Sequence, residues 1–201
     1  MNTYHHTDLR EKLLISAKKM LKEHGADGLS IRAIAADAGV SHNAPYRHFA
    51  NKSELLAALA EDGYRSLDEA IIKSVNENPD DTVRQIHESA MAYVRMGTDT
   101  PELFSLMFGS WMCAADYPGL KSAADKSYQS LLNIVRDGIK RGDIAERDSE
   151  PMAAALWATV HGVTVIINAD KLSDKEKSAM VENTVPAVIN VLLKGILSKS
   201  V

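Results

Sequence analysis

The chain has 201 residues, of which 45% are hydrophobic and 25% are charged, and its formal net charge is −4. This composition is typical of a globular protein and excludes intrinsic disorder, a collagen-like chain and a disulfide scaffold for the chain as a whole. The single cysteine, Cys113, cannot form an internal disulfide, so we expect a reducing, cytoplasmic environment.

The charge is distributed unevenly along the chain. Residues 1–60 contain eight Lys and Arg and six Asp and Glu, a net charge of +2, and they hold five of the seven histidines. The rest of the chain carries the acidic excess. A polyanionic partner would therefore meet the N-terminal part of the molecule.

Helical periodicity runs through the chain, and we find no stretch of useful length with the alternation typical of a strand. Asp8 predicts the start of a first helix, and Gly25 predicts its end. Ser30 begins a second, short helix that Gly39 stops, and Ser41 is placed to cap a third. The sequence therefore predicts an all-α protein.

Later helices are marked by the same kinds of signal. Asn51 opens a fourth, longer helix, and turns around Pro79, Pro101 and Pro118 precede further helices. Gly142 ends the helix that follows Pro118. Together these signals predict about nine helices in all.

The segment 152–169 contains no charged residue over 18 positions, about the length of a membrane span. It contains the polar residues Thr159, His161 and Asn168, and no second candidate follows it. We therefore expect no membrane span but a helix buried on most sides, in a core or a dimer interface.

The last helix begins with a capping box formed by Ser173 and Glu176. Apolar residues recur at helical spacing from Val181 to Ile196. Pro186 should kink this helix, because proline removes one backbone donor and clashes with the preceding turn.

The second and third helices are joined by a turn of a few residues that contains a glycine, which is helix-turn-helix geometry. Gly39 can adopt a left-handed conformation without steric cost. Val40 is apolar and would hold the two helices together, and Ser41 would cap the recognition helix.

The segments Ile31–Ser41 and Tyr46–Leu56 resemble the tetracycline-repressor (TetR) family, and the resemblance extends over about residues 8–65. Trp157–Gly162 resembles the Trp…His-Gly signature of one TetR C-terminal subtype. The resemblance implies a homodimer in which residues 1–55 form a three-helix DNA-binding domain. Residues 56–201 would form a helical domain for effector binding and dimerisation.

The function implied by this family is sequence-specific transcriptional regulation. We expect a repressor that a small hydrophobic or amphipathic effector releases from an inverted-repeat operator in double-stranded DNA. A transcriptional activator, or a helical interaction module that no longer reads DNA, remains an alternative. We do not expect an enzyme, a cofactor or a metal site, because the sequence has no nucleophile elbow, phosphate-binding glycine loop or zinc-type spacing.

The residues expected at DNA fall into two groups. The base readers, at or near the start of the third helix, would be His42, Asn43, Ala44 and Arg47. Asparagine can pair with adenine and arginine with guanine, and alanine can touch a thymine methyl group. The phosphate contacts would be Ser30, Arg32, Tyr46, His48 and Lys52. Pro45 departs from the family pattern and predicts a local irregularity in the recognition helix.

The expected effector site is rich in methionine and aromatic residues, which suit an adaptable apolar pocket and equally suit a plain core. The candidates are Met91, Met96, Phe104, Met107, Phe108, Trp111, Met112, Tyr128 and His161. Tyr93 is a further candidate for a polar anchor. The family resemblance places the dimer interface on the last two helices.

Overall fold

The structure, a computed structural model, describes residues 3–109, 114–169 and 171–196, and for residues 3–8 and 196 it describes the backbone alone. Its α-helices, in chain order, are α1 (Thr3–Gly28), α2 (Ile31–Asp37), α3 (Lys52–Glu77), α4 (Thr82–Asp99), α5 (Pro101–Phe108), α6 (Pro118–Arg141), α7 (Ser149–Asn168), α8 (Asp174–Ala179) and α9 (Val185–Ile196). Two 3₁₀ turns lie at Pro45–Arg47 and Ala114–Asp116. Within the described ranges no residue forms a strand ladder, and the all-α prediction is confirmed.

The chain divides into two compact units. The first contains Met1–Tyr64 and Glu102–Ala124, and the second contains Arg65–Pro101 and Asp125–Val201. The first unit thus includes α1 and α2, and also α5 and the start of α6. The predicted domain boundary after residue 55 stays a prediction.

Apolar side chains at helical spacing fill the core of each unit. In the first unit the fully buried side chains include Leu13, Leu21, Ile34, Leu55 and Leu59. In the second they include Ile86, Val94, Leu132, Ile144, Ile167 and Ile189. These cores hold the helices that carry the sites described below.

Polar side chains fix several helix starts. The Asn51 side-chain oxygen accepts a hydrogen bond from the backbone N–H of Glu54 at 3.0 Å, and Glu54 accepts from the N–H of Ala50 at 2.7 Å. The Ser173 hydroxyl accepts from the N–H of Glu176, whose carboxylate accepts from the N–H of Ser173. Both pairs satisfy backbone donors that a helix leaves open at its start. The predicted starts at these two positions are confirmed.

The break predicted at Gly25 is present inside α1. Gly25 has φ 66° and ψ 178°, a conformation that residues with a side chain rarely adopt. Helical hydrogen bonding resumes beyond it, and α1 ends at Gly28 rather than at Gly25. The glycine therefore interrupts the helix without ending it.

Proline changes the hydrogen bonding of the last helix. Between α8 and α9, residues Met180–Thr184 form a π-helical turn, and Pro186 follows at the second position of α9. A wider turn gives room to the proline ring, which would otherwise clash with the carbonyl four residues earlier. The distortion predicted from Pro186 therefore takes the form of a π turn.

Helix α7 includes the charge-free segment. Judged by length and composition alone, it is the one helix among the described residues that could cross a membrane. It packs against α4 and α9 and buries residues such as Leu156, Val160 and Ile167. Its opposite face exposes Val165 and Ile166, so in a single chain the helix is buried on one face rather than on most sides.

Candidate nucleic-acid interface

The turn that follows α2 is fixed by two backbone hydrogen bonds. The N–H of Gly39 donates to the carbonyl of Ala36 at 3.1 Å, and the N–H of Val40 donates to the carbonyl of Ala35 at 2.9 Å. This is a Schellman motif, which requires a residue with positive φ after the helix. Gly39 has φ 69° and fills that position.

The third segment of the motif is shorter than an α-helix. Residues Pro45–Arg47 form a single 3₁₀ turn, in which His48 donates its N–H to the carbonyl of Pro45 at 2.9 Å. Pro45 has no N–H to donate to the carbonyl of Ser41, which accepts from Ala44 instead. The irregularity predicted from Pro45 is confirmed, and the recognition segment is a run of tight turns.

Apolar contacts hold this segment to the rest of the first unit. Pro45 is buried, and Phe49 is 3% exposed, as expected of a core residue. The guanidinium of Arg10 lies 5.7 Å from the centre of the Phe49 ring, a cation–π distance. The backbone of the recognition segment is therefore anchored from within, while the side chains of Tyr46 and Arg47 are exposed.

Most of the predicted DNA-contacting side chains lie at the surface of the first unit. The exposed ones are Ser30, Arg32, His42, Asn43, Tyr46 and Arg47, and the half-buried ones are Ala44, His48 and Lys52. The Ser30 hydroxyl makes no capping bond to α2. Within the described part of the chain neither Arg32 nor Arg47 forms an ion pair.

Two lysines of the same unit are engaged in internal contacts. The ammonium of Lys52 donates to the backbone carbonyl of Asp27 at 2.9 Å, which connects the start of α3 to the end of α1. Lys19 donates to the carboxylate of Asp37 at 2.7 Å. This hydrogen bond raises the pKa of Lys19 and lowers the pKa of Asp37. Sequence reasoning did not find either contact, because the partners are distant along the chain.

Two family models match most of the chain. The model of bacterial regulatory proteins of the tetR family matches residues 13–59. That of the tetracyclin repressor-like C-terminal domain matches residues 86–188. The chain belongs to the TetR family.

Relatives and solved structures of the TetR family agree with this assignment. An HTH-type transcriptional repressor of Streptomyces coelicolor is 30% identical over 159 residues, which is 75% of this chain and 78% of that protein. An HTH-type transcriptional regulator of Mycobacterium tuberculosis is 29% identical over 156 residues, and the match spans 65% of that protein.

The fold is similar to solved structures as well. A protein of unknown function from Rhodococcus sp. RHA1 matches with a TM-score of 0.82 and 31% identity, over 98% of this chain and 100% of that chain. A TetR-family regulator from Pectobacterium atrosepticum matches over the full length of both chains with a TM-score of 0.76. At 22% identity this second likeness shows the fold alone.

The residues predicted for the effector site are not brought together as one cluster within either unit. In the first unit, Phe104 and Phe108 have ring centres 4.9 Å apart, and Met107 accepts a hydrogen bond from Tyr64 through its carbonyl at 3.0 Å. Burial raises the pKa of Tyr64 to about 12. Trp111 and Met112 lie outside the described residues.

The remaining candidates, Met91, Met96, Tyr128 and His161, lie in the second unit. The Trp157 ring lies between two of them, 6.5 Å from Tyr128 and 5.5 Å from His161 between ring centres. The Tyr93 hydroxyl is hydrogen-bonded to Nδ1 of His161 at 2.7 Å. Burial lowers the pKa of His161 and favours its neutral form.

The second unit also contains an apolar cavity of about 40 Å³ between α3, α4, α6, α7 and α9. Aliphatic residues dominate its lining, and Tyr93 and Trp157 contribute aromatic rings. Of the nine residues predicted for the effector site, none of the seven that the structure describes lines it. Tyr93, named from the sequence as a polar anchor, lines the cavity, but most of the other lining residues are ordinary core aliphatics scattered over five helices, which give no signal in the sequence.

Proposed function

We propose that the chain is a sequence-specific DNA-binding transcriptional regulator. The observation that carries this proposal is the helix-turn-helix of the first unit, which presents Asn43 and Arg47 on an anchored backbone in a chain of the TetR family. Both side chains can form paired hydrogen bonds with base edges in the major groove. No enzymatic activity is part of this proposal.

The residues of this surface would have two different roles at DNA. Asn43 and Arg47, together with His42 and Ala44, would read base edges. Ser30, Arg32, Tyr46, His48 and Lys52 would contact phosphates and set the register on the duplex. Support for this division comes from the exposure of six of the nine side chains and from Arg32 and Arg47, which form no ion pair with any residue that the structure describes.

The regulator would act as a homodimer through its last two helices. Val165 and Ile166 of α7 and Val191 of α9 are 48%, 55% and 71% exposed, and α7 packs against α9. Exposed apolar side chains on neighbouring helices suit a second copy of the same surface. A symmetric dimer would place its two readers at successive major grooves of an inverted repeat.

The protein would repress transcription, and an effector would release it from DNA. The Streptomyces coelicolor relative is named a repressor, and this supports repression rather than activation by the present chain. A small hydrophobic or amphipathic molecule bound in the helical domain would weaken DNA binding. The protein would work in the cytoplasm. The Trp157…His161-Gly162 signature would place its C-terminal domain in the TetR subtype that carries the Trp…His-Gly signature. If it were an activator, a promoter reporter would respond with the opposite sign.

Selection from a pool of random DNA duplexes tests the DNA-binding proposal. We expect the purified protein to enrich an inverted repeat whose half-sites are about one helical turn apart. The Asn43→Ala variant, run beside it, should enrich a repeat that is relaxed at one position in each half-site. Enrichment of no common sequence by the unaltered protein would contradict the proposal.

A further inference from the structure

The stretch between α2 and α3, residues 38–51, is held at both ends by α1. Asp37 is the last residue of α2 and precedes it, and Lys52 is the first residue of α3 and follows it. The ammonium of Lys19 donates to the carboxylate of Asp37 at 2.7 Å, and the ammonium of Lys52 donates to the carbonyl of Asp27 at 2.9 Å. Both Lys19 and Asp27 belong to α1, so one helix fixes the two ends of the stretch.

The stretch itself contains little regular hydrogen bonding that could fix its orientation. The structure describes all of residues 38–51 and has one 3₁₀ turn there, Pro45–Arg47, and no α-helix. The hydrogen bond from the N–H of Ala44 to the carbonyl of Ser41 closes another tight turn. Such turns have poorer hydrogen-bond geometry than an α-helix. The direction in which the base readers point therefore depends on how the ends of the stretch are held.

We propose that Asp37 is a positioning residue for base reading. This inference rests on the proposed function, because it concerns how the helix-turn-helix reads sequence. Asp37 acts without contacting DNA, since its carboxylate has the same sign of charge as the phosphates. It fixes the end of α2, from which the turn at Gly39 leads the chain to the base readers.

Two side chains of α1 hold the carboxylate of Asp37. Hydrogen bonds from the side chains of Lys19 and Ser16 lower the pKa of Asp37. Ser16 is 6% exposed, and Lys19 lies three residues further along the same face of the helix. Because a buried hydroxyl and an ammonium bind the same group, they define both the place and the direction of the carboxylate. The end of α2 is thereby tied to α1.

A neighbouring ion pair of the same unit supplies the matched control. Lys18 precedes Lys19 in α1 and forms an ion pair with Asp62 of α3. The side chains of Lys18 and Asp62 are 43% and 37% exposed, and those of Lys19 and Asp37 are 58% and 32% exposed. Asp62→Asn therefore removes a comparable surface ion pair that does not hold either end of the stretch.

Two substitutions that change the charge in opposite directions test the positioning role. Asp37→Asn removes a negative charge, Lys19→Met removes a positive charge, and each breaks the same ion pair. The measured quantity is the ratio of the dissociation constants for unrelated DNA and for an operator selected as above. This ratio should fall about two- to fivefold in both variants, because an ordered stretch is needed for base contacts and not for phosphate contacts. Lys19→Arg keeps the ion pair and should keep the ratio.

Three results of this binding experiment would overturn the proposal. Opposite changes of the ratio in Asp37→Asn and Lys19→Met would show that the two charges act on DNA directly. An equal fall in Asp62→Asn would show that the loss of any surface ion pair in this unit has the same effect. An unchanged ratio in both variants would leave Asp37 as a structural residue only.

Amide hydrogen exchange without DNA tests the same role independently of the proposed function. The N–H groups of Gly39 and Val40 donate to carbonyls of α2 and report on the turn. Their exchange should be faster in Asp37→Asn than in the unaltered protein or in Asp62→Asn, whereas exchange at the fully buried Val94 of the second unit should be unchanged. Equal exchange at the turn in all three proteins would overturn the proposal. If no operator can be selected, the proposed function fails, and this measurement still decides whether Asp37 holds the turn.

Discussion

One substitution at Lys52 tests two roles of this residue, the first in the stability of the fold and the second in DNA binding. Its ammonium donates one hydrogen bond to the carbonyl of Asp27 at 2.9 Å, which leaves two N–H donors for a phosphate. Lys52→Met keeps a side chain of similar length and removes the charge. We expect a loss in the free energy of unfolding and a weaker dependence of DNA binding on salt.

The magnitudes follow from the geometry. Hydrogen bonds to charged groups contribute about 1.5–3 kcal/mol, and partial exposure of Lys52 reduces this, so we expect a loss of about 1 kcal/mol. A single phosphate contact contributes about 0.9 to the slope of log K against log salt, and the slope should fall by that amount. Urea denaturation measures the first quantity and fluorescence anisotropy with labelled duplex measures the second.

Lys22→Met is the matched control, because Lys22 is an exposed lysine of α1 with no hydrogen bond or ion pair in the described structure. It should change the unfolding free energy by less than about 0.5 kcal/mol. If Lys52→Met lowers stability and leaves the salt slope unchanged, Lys52 is a structural tether and the predicted phosphate contact is wrong. If it changes neither quantity, both roles are refuted.

Three further predictions concern reading, assembly and pH. Asn43→Ala should relax specificity at one base position per half-site, at a cost of about 1–3 kcal/mol in binding free energy on the preferred sequence. An equal loss of affinity for every sequence in competition binding would refute the role of Asn43 as a base reader. Val191→Asp should shift the protein to monomer in sedimentation, whereas Ile72→Asp, also at an exposed apolar position, should not; a dimer that persists in Val191→Asp contradicts the proposed interface. Because burial lowers the pKa of His161, the unfolded chain binds its proton at higher pH, and stability should fall as the pH drops below about 6.5. His161→Asn should flatten that part of the stability profile, and identical profiles would contradict the assignment.

Local signals in the sequence were sufficient for α2 and the turn after it, but not for the third helix predicted after Ser41, where the structure has a single 3₁₀ turn at Pro45–Arg47. Gly39 is the residue that a Schellman motif requires, and Pro45 lacks the donor that a continuous α-helix would need. The cap at Asn51 and the capping box at Ser173 likewise involve residues within four positions of each other. Interactions this short along the chain can be read directly from the order of residues.

The candidate effector site could not be predicted in the same way. Methionine and aromatic content directed the prediction to residues such as Phe104 and Phe108, which pack against each other in the first unit. The cavity of the second unit depends instead on how five helices fill space, and aliphatic residues give no signal of an unfilled volume. The hydrogen bond between Tyr93 and His161 joins residues 68 positions apart, and no local pattern marks it.

Binding to DNA from upstream of the chain's own coding region shows whether this helix-turn-helix reads sequence. The purified protein is titrated against that duplex over a range of salt concentrations, with unrelated DNA as competitor. We expect tight binding to a short inverted repeat that resists the competitor and is weakened by Asn43→Ala. Binding no tighter than to the competitor, both there and across a pool of random duplexes, would contradict the claim that this helix-turn-helix reads sequence.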